Sequence, residues 1–195
     1  MVETESPSVV RTHRSRLLEG MAHAVAANGY AETTIADIVR EASVSRRTFY
    51  EHFATKAECL IALYEASSHN ALKVLRDAID PAHEWQTQIE SSLSAYLGCM
   101  AGNPVLMRTL FIEILHLGDE GLESRRRVNS EIAEFIVRIV NVTKRRHPLT
   151  RQMAMAVVGG INELVLEYIE QDKVAKLREL VAPASELVRK VIATD

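Results

Sequence analysis

Two short apolar segments, each directly following a residue that favours a helix N-terminus, constrain the fold of this chain most. Thr34 precedes the first segment and Ser45 precedes the second. Their apolar positions recur at helical spacing and are Ile35, Ile38 and Val39 in the first and Phe49 and Phe53 in the second. Two helices this short cannot bury apolar faces alone. They therefore predict tight packing against each other and against a third helix.

The third helix is predicted just upstream, from Val9 to Ala27. Its apolar stripe is Leu17, Met21, Ala24 and Val25. Asn28-Gly29 ends it, since glycine tolerates the left-handed conformation of a helix end. With Val44 in the turn between the short helices, the segment from Thr33 to Phe53 predicts a helix-turn-helix whose second helix enters the major groove of DNA.

The exposed face of that second helix supplies candidate DNA contacts. Arginine can bond guanine O6 and N7 with two hydrogen bonds, and threonine can contact a thymine methyl group or a phosphate. Polar side chains near helix N-termini commonly contact phosphates. The predicted DNA-binding residues are Thr34, Ser45, Arg46, Arg47, Thr48, Tyr50, His52 and Lys56. The alternative is a solvated basic face on an ordinary helical hairpin.

The remainder of the chain also predicts helices. It has only five prolines and eight glycines, and no segment alternates as a strand would. The further predicted helices are Thr55–Ile79, Glu84–Ala101, Pro104–Leu117, Asp119–Arg146, Thr150–Gln171, Val174–Leu180 and Pro183–Ile192. The predicted fold is all-α.

Charge permits a nucleic-acid partner without identifying one. The whole chain has a net charge of −3, yet residues 8–56 hold seven Lys and Arg against five acidic residues. The run 125–127 and the cluster 144–147 could form a second nucleic-acid surface, although solvated helix faces are the more common meaning of such runs.

Several other classes of protein find little support. The start of the chain is polar and acidic, unlike a signal peptide, and the longest apolar run, Met153–Ile161, is far below the ~20 residues of a bilayer span. We therefore expect a cytoplasmic protein with no membrane partner. Cys59 and Cys99 lack metal-ligand spacing, and no phosphate loop or nucleophile motif is present. No enzyme activity, metal or cofactor is expected.

The motif around the short helices resembles the DNA-binding signature of the TetR family of transcriptional regulators. The matching residues are 29–38 (GYAETTIADI), 42–45 (ASVS), 48–53 (TFYEHF) and Lys56. The resemblance covers about 45 residues and implies a C-terminal ligand-binding and dimerisation domain. Family members usually have glycine where this chain has Ser43. Because that position commonly needs positive φ, Ser43 implies a local cost of roughly 1 kcal/mol.

A homodimer is predicted from the helix around Met153–Val165. It is apolar almost all round and contains Gly159-Gly160, which favours close approach of another helix. The predicted interface residues are Val158, Ile161, Val165, Tyr168, Leu187, Val188 and Val191. A dimer would present two recognition helices to a palindromic operator. The alternative is a buried helix in a monomer.

A pocket for a small, largely apolar effector is predicted among the middle helices. Methionine suits adaptable pockets, and His116 and Asn162 are candidate polar anchors. The candidate ligand residues are Tyr64, Trp85, Tyr96, Met100, Met107, Phe111, Leu115, His116, Met153, Val157 and Asn162. The same residues would equally serve as the core of a helical bundle.

The predicted domains are a disordered tail (1–8), a DNA-binding domain (9–56) and a ligand-binding and dimerisation domain (57–195), with a helix from 55 linking the last two. The favoured hypothesis is a repressor that an effector releases from double-stranded operator DNA; activation is the open variant. A helical protein that binds a partner protein, and an enzyme using the C-terminal cavity, are the rival hypotheses.

Overall fold

The computed structural model describes residues 7–142 and 148–192, and its regular secondary structure there is entirely helical. The α-helices are α1 (Pro7–Glu32), α2 (Ile35–Ala42), α3 (Arg46–His52), α4 (Lys56–Asp77), α5 (Trp85–Ala101), α6 (Pro104–Phe111), α7 (Asp119–Val140), α8 (Arg151–Glu170) and α9 (Val181–Ile192). Two 3₁₀ segments cover Glu113–Leu117 and Val174–Leu180. The all-α prediction is confirmed. Within these residues, no helix is long and apolar enough to cross a membrane.

A few boundaries differ from the predicted ones. The helix predicted over Pro104–Leu117 is divided into α6 and a 3₁₀ segment. The last helix begins at Val181, which puts Pro183 in its first turn, where a missing N–H group costs nothing. Residues 7 and 8 belong to α1 and not to the predicted tail. The rest of that tail and the basic cluster 144–147 lie outside the described residues.

The chain divides into two compact units, the first made of residues 1–67 and 108–124. Its fully buried side chains include Leu17 and Met21 of α1, Ile38 of α2 and Phe49 of α3. Helix α1 packs against α2 at Gly20, where a Cβ atom would lie only 2.6 Å from the carbonyl oxygen of Ile38. A side chain at that position would separate the two helices.

The second unit is made of residues 68–107 and 125–195. In it α5, α8, α9 and the 3₁₀ segment Val174–Leu180 pack together. One of its clusters of buried residues consists of Ala133, Val140, Leu149, Ala154, Val158 and Ile192. The division therefore differs from the predicted boundary at residues 56 and 57, since the stretch 108–124 belongs with the helix-turn-helix.

Candidate DNA interface and ligand cavity

Helix α2 begins with a complete capping box. The hydroxyl of Thr34 accepts the backbone N–H of Asp37, and the Asp37 carboxylate accepts the backbone N–H of Thr34 at 3.0 Å. The carboxylate also accepts the Thr34 hydroxyl at 2.6 Å and the Arg40 guanidinium at 2.8 Å. These bonds, those from Thr34 first, lower the pKa of Asp37 to about 2. The start of α2 is therefore fixed by its own side chains.

The turn between α2 and α3 has the left-handed residue that the sequence predicted. Ser43 has φ 51° and ψ 46°. Its N–H donates to the carbonyl of Arg40, and its own carbonyl accepts the guanidinium of Arg16 at 2.6 Å. The backbone of Ser43 thus holds the turn.

Helix α3 begins at Ser45, whose hydroxyl accepts the backbone N–H of Thr48 at 3.0 Å. The Ser45 and Thr48 hydroxyls lie 2.9 Å apart. Phe49 is fully buried beneath the helix and contacts the ring of Phe53. Because this side is anchored in the core, the opposite side of α3 faces solvent.

The solvent side of α3 carries most of the predicted DNA contacts. Arg46 is exposed, and Tyr50 is 59% exposed. The Arg47 side chain is 85% exposed and forms an ion pair with Glu51 at 3.0 Å. His52 is half-buried at the end of the helix. Arg46, Arg47 and Tyr50 are therefore the most exposed of the predicted contacts on α3, while Thr48 is half-buried.

Lys56 requires a correction. Its ammonium donates to the backbone carbonyls of Tyr30 (2.9 Å), Ala31 (3.2 Å) and Thr33 (2.8 Å), and it lies 4.4 Å from the centre of the Tyr30 ring. All three of its N–H donors face these groups. Lys56 thus stabilises the end of α1, and its ammonium is not available as a free phosphate contact.

Two predicted core positions are less buried than expected. Ile35 and Val44 are half-buried, whereas Ile38 is fully buried. Arg14, which the sequence did not single out, stacks over the Phe53 ring at 5.5 Å. These contacts place α1, α2 and α3 in one packed body.

An apolar cavity lies inside the second unit. Its empty space measures about 770 Å³ with the open mouth included. The lining residues are Leu75, Ile79, Trp85, Gln88, Ile89, Ser92, Leu93, Tyr96, Ile132, Phe135, Ile136, Ile139, Val140, Val158, Ile161, Asn162 and Val188. None of these carries a charge.

Three polar side chains of the cavity wall donate hydrogen bonds within the protein. Gln88 donates to the carbonyl of His83 at 2.7 Å, Ser92 donates to that of Ile89 at 3.0 Å, and Asn162 donates to the side chain of Asn129 at 3.2 Å. The space they leave favours hydrocarbon over charged groups.

Three of the predicted ligand residues, Trp85, Tyr96 and Asn162, line this cavity. Eight do not line it, because their side chains belong to the core or to the surface. These eight are Tyr64, Met100, Met107, Phe111, Leu115, His116, Met153 and Val157. Met153 is 46% exposed, so its predicted place in a cavity wall is corrected.

The wall supplied by α7 was missed. Ile132, Phe135, Ile136 and Ile139 recur at spacings of three and four on that helix. This periodicity was available in the sequence and indicates a buried stripe. It does not say whether the stripe meets other side chains or an empty space.

The predicted dimer residues divide into two groups. Val158, Ile161 and Val165 are buried within the protomer, and Val188 lines its cavity. Tyr168, Leu187 and Val191 are half-buried. Val158, Ile161 and Val165 are corrected, since side chains already covered by their own protomer have little surface left for a partner, whereas Val188 is half-buried like the second group.

The two glycines of α8 face different surroundings. A Cβ atom at Gly160 would lie 3.2 Å from a methyl group of Leu187, so this glycine admits α9 of the same protomer. At Gly159 nothing lies within 4 Å. Met153, Ala156, Gly159 and Glu163 form an exposed stripe on α8 at spacings of three and four residues.

Comparison with protein families finds a match in the N-terminal part of the first unit. Residues 17–63 match the model of the bacterial regulatory proteins of the tetR family. A regulator of Bacillus subtilis (strain 168), the HTH-type transcriptional regulator YxbF, is 31% identical over 77 residues, which are 40% of this chain and 20% of that protein. The fatty acid metabolism regulator protein of the same organism is 21% identical over 121 residues, 62% of this chain and 61% of that protein. The chain thus spans a fifth of the first relative and about three-fifths of the second.

Solved structures share the fold over most of the chain. The transcriptional regulator FadR of Bacillus subtilis, crystallised with stearoyl-CoA, has a TM-score of 0.75 at 17% identity and covers 89% of this chain and 96% of its own. FadR of Bacillus halodurans has a TM-score of 0.74 at 18% identity, with coverage of 89% and 96%. A putative TetR-family regulator of Syntrophomonas wolfei has a TM-score of 0.75 at 16% identity, with coverage of 95% and 97%. At such identities the likeness concerns the fold.

Proposed function

The chain carries the DNA-binding domain of the TetR family of transcriptional regulators, and from this premise we propose that it acts as a homodimeric repressor released from its operator by a small, largely apolar effector. The observation that carries the DNA-binding part is α3, a capped helix with Phe49 buried beneath it and arginines exposed at its start. A helix of this kind fits the major groove, and two copies fit a palindromic site.

Two arginines are proposed to read the operator. Arg46 and Arg47 occupy the first turn of α3, the part of a recognition helix that contacts base edges. Arg47 would exchange its ion pair with Glu51 for a base or phosphate. Since that pair is exposed, it contributes little and gives no strong barrier to the exchange.

The test is binding to a duplex selected by the wild-type protein from a random-sequence pool. Arg46→Ala and Arg47→Ala should each weaken binding by roughly 1–3 kcal/mol, measured by fluorescence anisotropy. Arg138→Ala, an exposed arginine on α7, is the matched control and should bind as the wild type does. If neither substitution in α3 changes the affinity, these assignments fail. If the wild type selects no duplex, the rival hypothesis of a partner-protein binder is favoured.

For the effector, we infer a molecule with a long hydrocarbon chain. The cavity wall has no charged residue, it is mostly hydrocarbon, and the donor groups of Gln88, Ser92 and Asn162 are bonded within the protein. The stearoyl-CoA named with the Bacillus subtilis FadR structure is a ligand of this chemistry. In this chain the hydrocarbon would occupy the cavity, and a charged headgroup would stay at the mouth, where water can solvate it.

The effector proposal is tested by release of the operator complex. Stearoyl-CoA should raise the concentration of protein needed for half-saturation of the duplex, whereas coenzyme A alone should leave it unchanged. Ile136→Trp, which fills the cavity from α7, should reduce the response to stearoyl-CoA. A response to coenzyme A alone, or an undiminished response of the Ile136→Trp variant, would contradict a hydrocarbon site in this cavity.

A further inference from the structure

The peptide group of Tyr30 departs from the regular helix. Gly29, with φ 75° and ψ 159°, interrupts the helical path of α1. The N–H of Tyr30 donates to the Glu113 carboxylate at 2.9 Å, although the two residues are 83 positions apart in the chain. Both belong to the first unit. A side chain far away in sequence thus satisfies a donor exposed by the break in the helix.

Glu113 is a buried charge with several partners. It is only 7% exposed. Besides the N–H of Tyr30, its carboxylate meets the imidazole of His116 at 3.1 Å and the guanidinium of Arg108 at 3.9 Å. A buried carboxylate is costly unless it is paired and hydrogen-bonded, so its place against Tyr30 is a defined arrangement.

The other side of the same turn is held by Lys56. Its ammonium donates to the carbonyl of Tyr30 and to those of Ala31 and Thr33. The buried hydroxyl of Thr33 donates to the carbonyl of Gly29 at 2.7 Å. Residues 29–33 are therefore fixed from two directions, and the next residue is the N-cap of α2.

We propose that Glu113 is a positioning residue for operator binding, acting through its hydrogen bond to Tyr30 to fix the turn from which α2 and α3 depart. The carboxylate holds the N–H of Tyr30 and with it the Gly29–Tyr30 peptide group, while Lys56 holds the carbonyl of Tyr30 and with it the next peptide group, so the backbone on both sides of Tyr30 is restrained. The direction of α2 follows from this turn, and that of α3 follows from α2. The operator readout rests on the DNA-binding function proposed above.

Glu113 lies far from the helix-turn-helix in the sequence but belongs to the same compact unit. It lies in the stretch 108–124, whose ends continue along the chain into α6 and α7. Helix α4 follows the helix-turn-helix directly in the chain. The bond between Glu113 and Tyr30 lies within the first unit, and it is non-covalent and can be broken.

The experiment compares Glu113→Ala, Glu113→Gln and Glu123→Ala in the full chain. Glu123 is an exposed carboxylate of the same stretch and serves as the matched control. Amide hydrogen exchange by mass spectrometry reports the segment 29–34, and anisotropy reports affinity for the duplex selected by the wild type. Both are measured at 20 °C, on samples whose far-UV circular dichroism equals that of the wild type.

Glu113→Ala should accelerate exchange in segment 29–34 and weaken operator binding, each by about tenfold or more, as expected for loss of a hydrogen bond to a charged acceptor. Glu113→Gln keeps a neutral acceptor and should lie between Glu113→Ala and the wild type. Glu123→Ala should match the wild type in both measurements.

A purely structural role gives a different result. If Glu113→Ala lowers the melting temperature but leaves the operator affinity and the exchange of segment 29–34 at wild-type values, the proposal is overturned. If Glu113→Ala does not fold, Glu113→Gln decides: faster exchange confined to segment 29–34 supports the proposal, and wild-type exchange overturns it. Failure of the wild type to bind any duplex would count against the DNA-binding function, while the exchange measurement would still test the bond to Tyr30.

Discussion

At the scale of single residues, Ser43 shows how a backbone requirement can be inferred from one unusual side chain. Its φ of 51° lies in the left-handed region, where a residue with a Cβ atom is disfavoured by roughly 1 kcal/mol relative to glycine. Ser43 is exposed, and its described hydrogen bonds are made by its backbone. Removing the side chain therefore breaks none of the described hydrogen bonds of Ser43.

We expect Ser43→Gly to raise the melting temperature by about 2–4 °C, the shift that roughly 1 kcal/mol produces in a protein of this size. Differential scanning calorimetry measures it. Ser91→Gly is the matched control, since Ser91 is exposed within helix α5 and glycine there should lower the melting temperature. A lower melting temperature for Ser43→Gly would be incompatible with the left-handed turn.

Some contacts of single residues could not be predicted from the sequence. Lys56 has the type and position of a phosphate contact, yet its ammonium is bonded to three carbonyls of the same unit. The bond of Glu113 to Tyr30 has no local signal, because the two residues are distant in sequence. Contacts between distant segments depend on the packing of whole helices, which periodicity within one segment does not contain.

At the scale of elements, the capping box of α2 links helix stability to pH. Hydrogen bonds from Thr34 and Arg40 stabilise the charged form of Asp37 and hold its pKa at about 2, below the ordinary 3.8. Because the folded pKa is the lower one, this contribution is complete above about pH 4. It is lost as the pH falls from there towards 2.

Asp37→Asn should therefore lower the melting temperature at pH 7, and the difference from the wild type should shrink between pH 4 and pH 2. Thermal unfolding followed by circular dichroism across this range measures it. In a Thr34→Ala background, which removes the cap partner, the same substitution should have a smaller effect. A difference that stays constant from pH 7 to pH 2 would show that the Asp37 charge does not stabilise the helix.

Helices were the most predictable elements because their signals are local. Thr34 and Ser45 mark helix starts that the structure also has. At Gly29 the structure has a break inside α1, which continues to Glu32, and not the predicted end. The break at Ile112 between α6 and the 3₁₀ segment Glu113–Leu117 was missed. That stretch has an unbroken apolar pattern, and the break coincides with the contact of this segment with α1. The need for glycine at position 20 was also missed, since it depends on how closely α2 approaches α1.

At the scale of the whole molecule, the proposed dimer places α8 against a partner. The exposed stripe of Met153, Ala156, Gly159 and Glu163 is the side of this helix that its own protomer leaves open. Small residues in such a stripe allow two helices to approach closely. The burial of Val158, Ile161 and Val165 shifts the proposed interface to this side.

Gly159→Leu should leave the protomer folded, because nothing lies within 4 Å of the position. It should convert the proposed dimer to monomer, because the bulky side chain would occupy the space of the partner helix. Sedimentation velocity measures the change, and Thr87→Leu on the exposed face of α5 is the control. A Gly159→Leu protein that stays dimeric would place the interface elsewhere.

The cavity was the least predictable feature. The sequence identified Trp85, Tyr96 and Asn162, but it proposed eight further residues that do not line the cavity. Buried side chains and cavity-lining side chains have the same apolar composition and the same helical spacing. Only their arrangement in space distinguishes a cavity from a filled core.

The two faces of α8 have a consequence for energetics. Val158 and Ile161 form part of the cavity wall on one side, while Gly159 and Glu163 are open on the other. In the proposed dimer, one rigid helix therefore contacts both the effector and the partner subunit. Linkage is reciprocal: the factor by which the effector lowers the affinity for the operator is also the factor by which the operator lowers the affinity for the effector. Protein bound to its operator would consequently bind the effector more weakly than free protein. A tighter operator would therefore need a higher effector concentration before transcription begins.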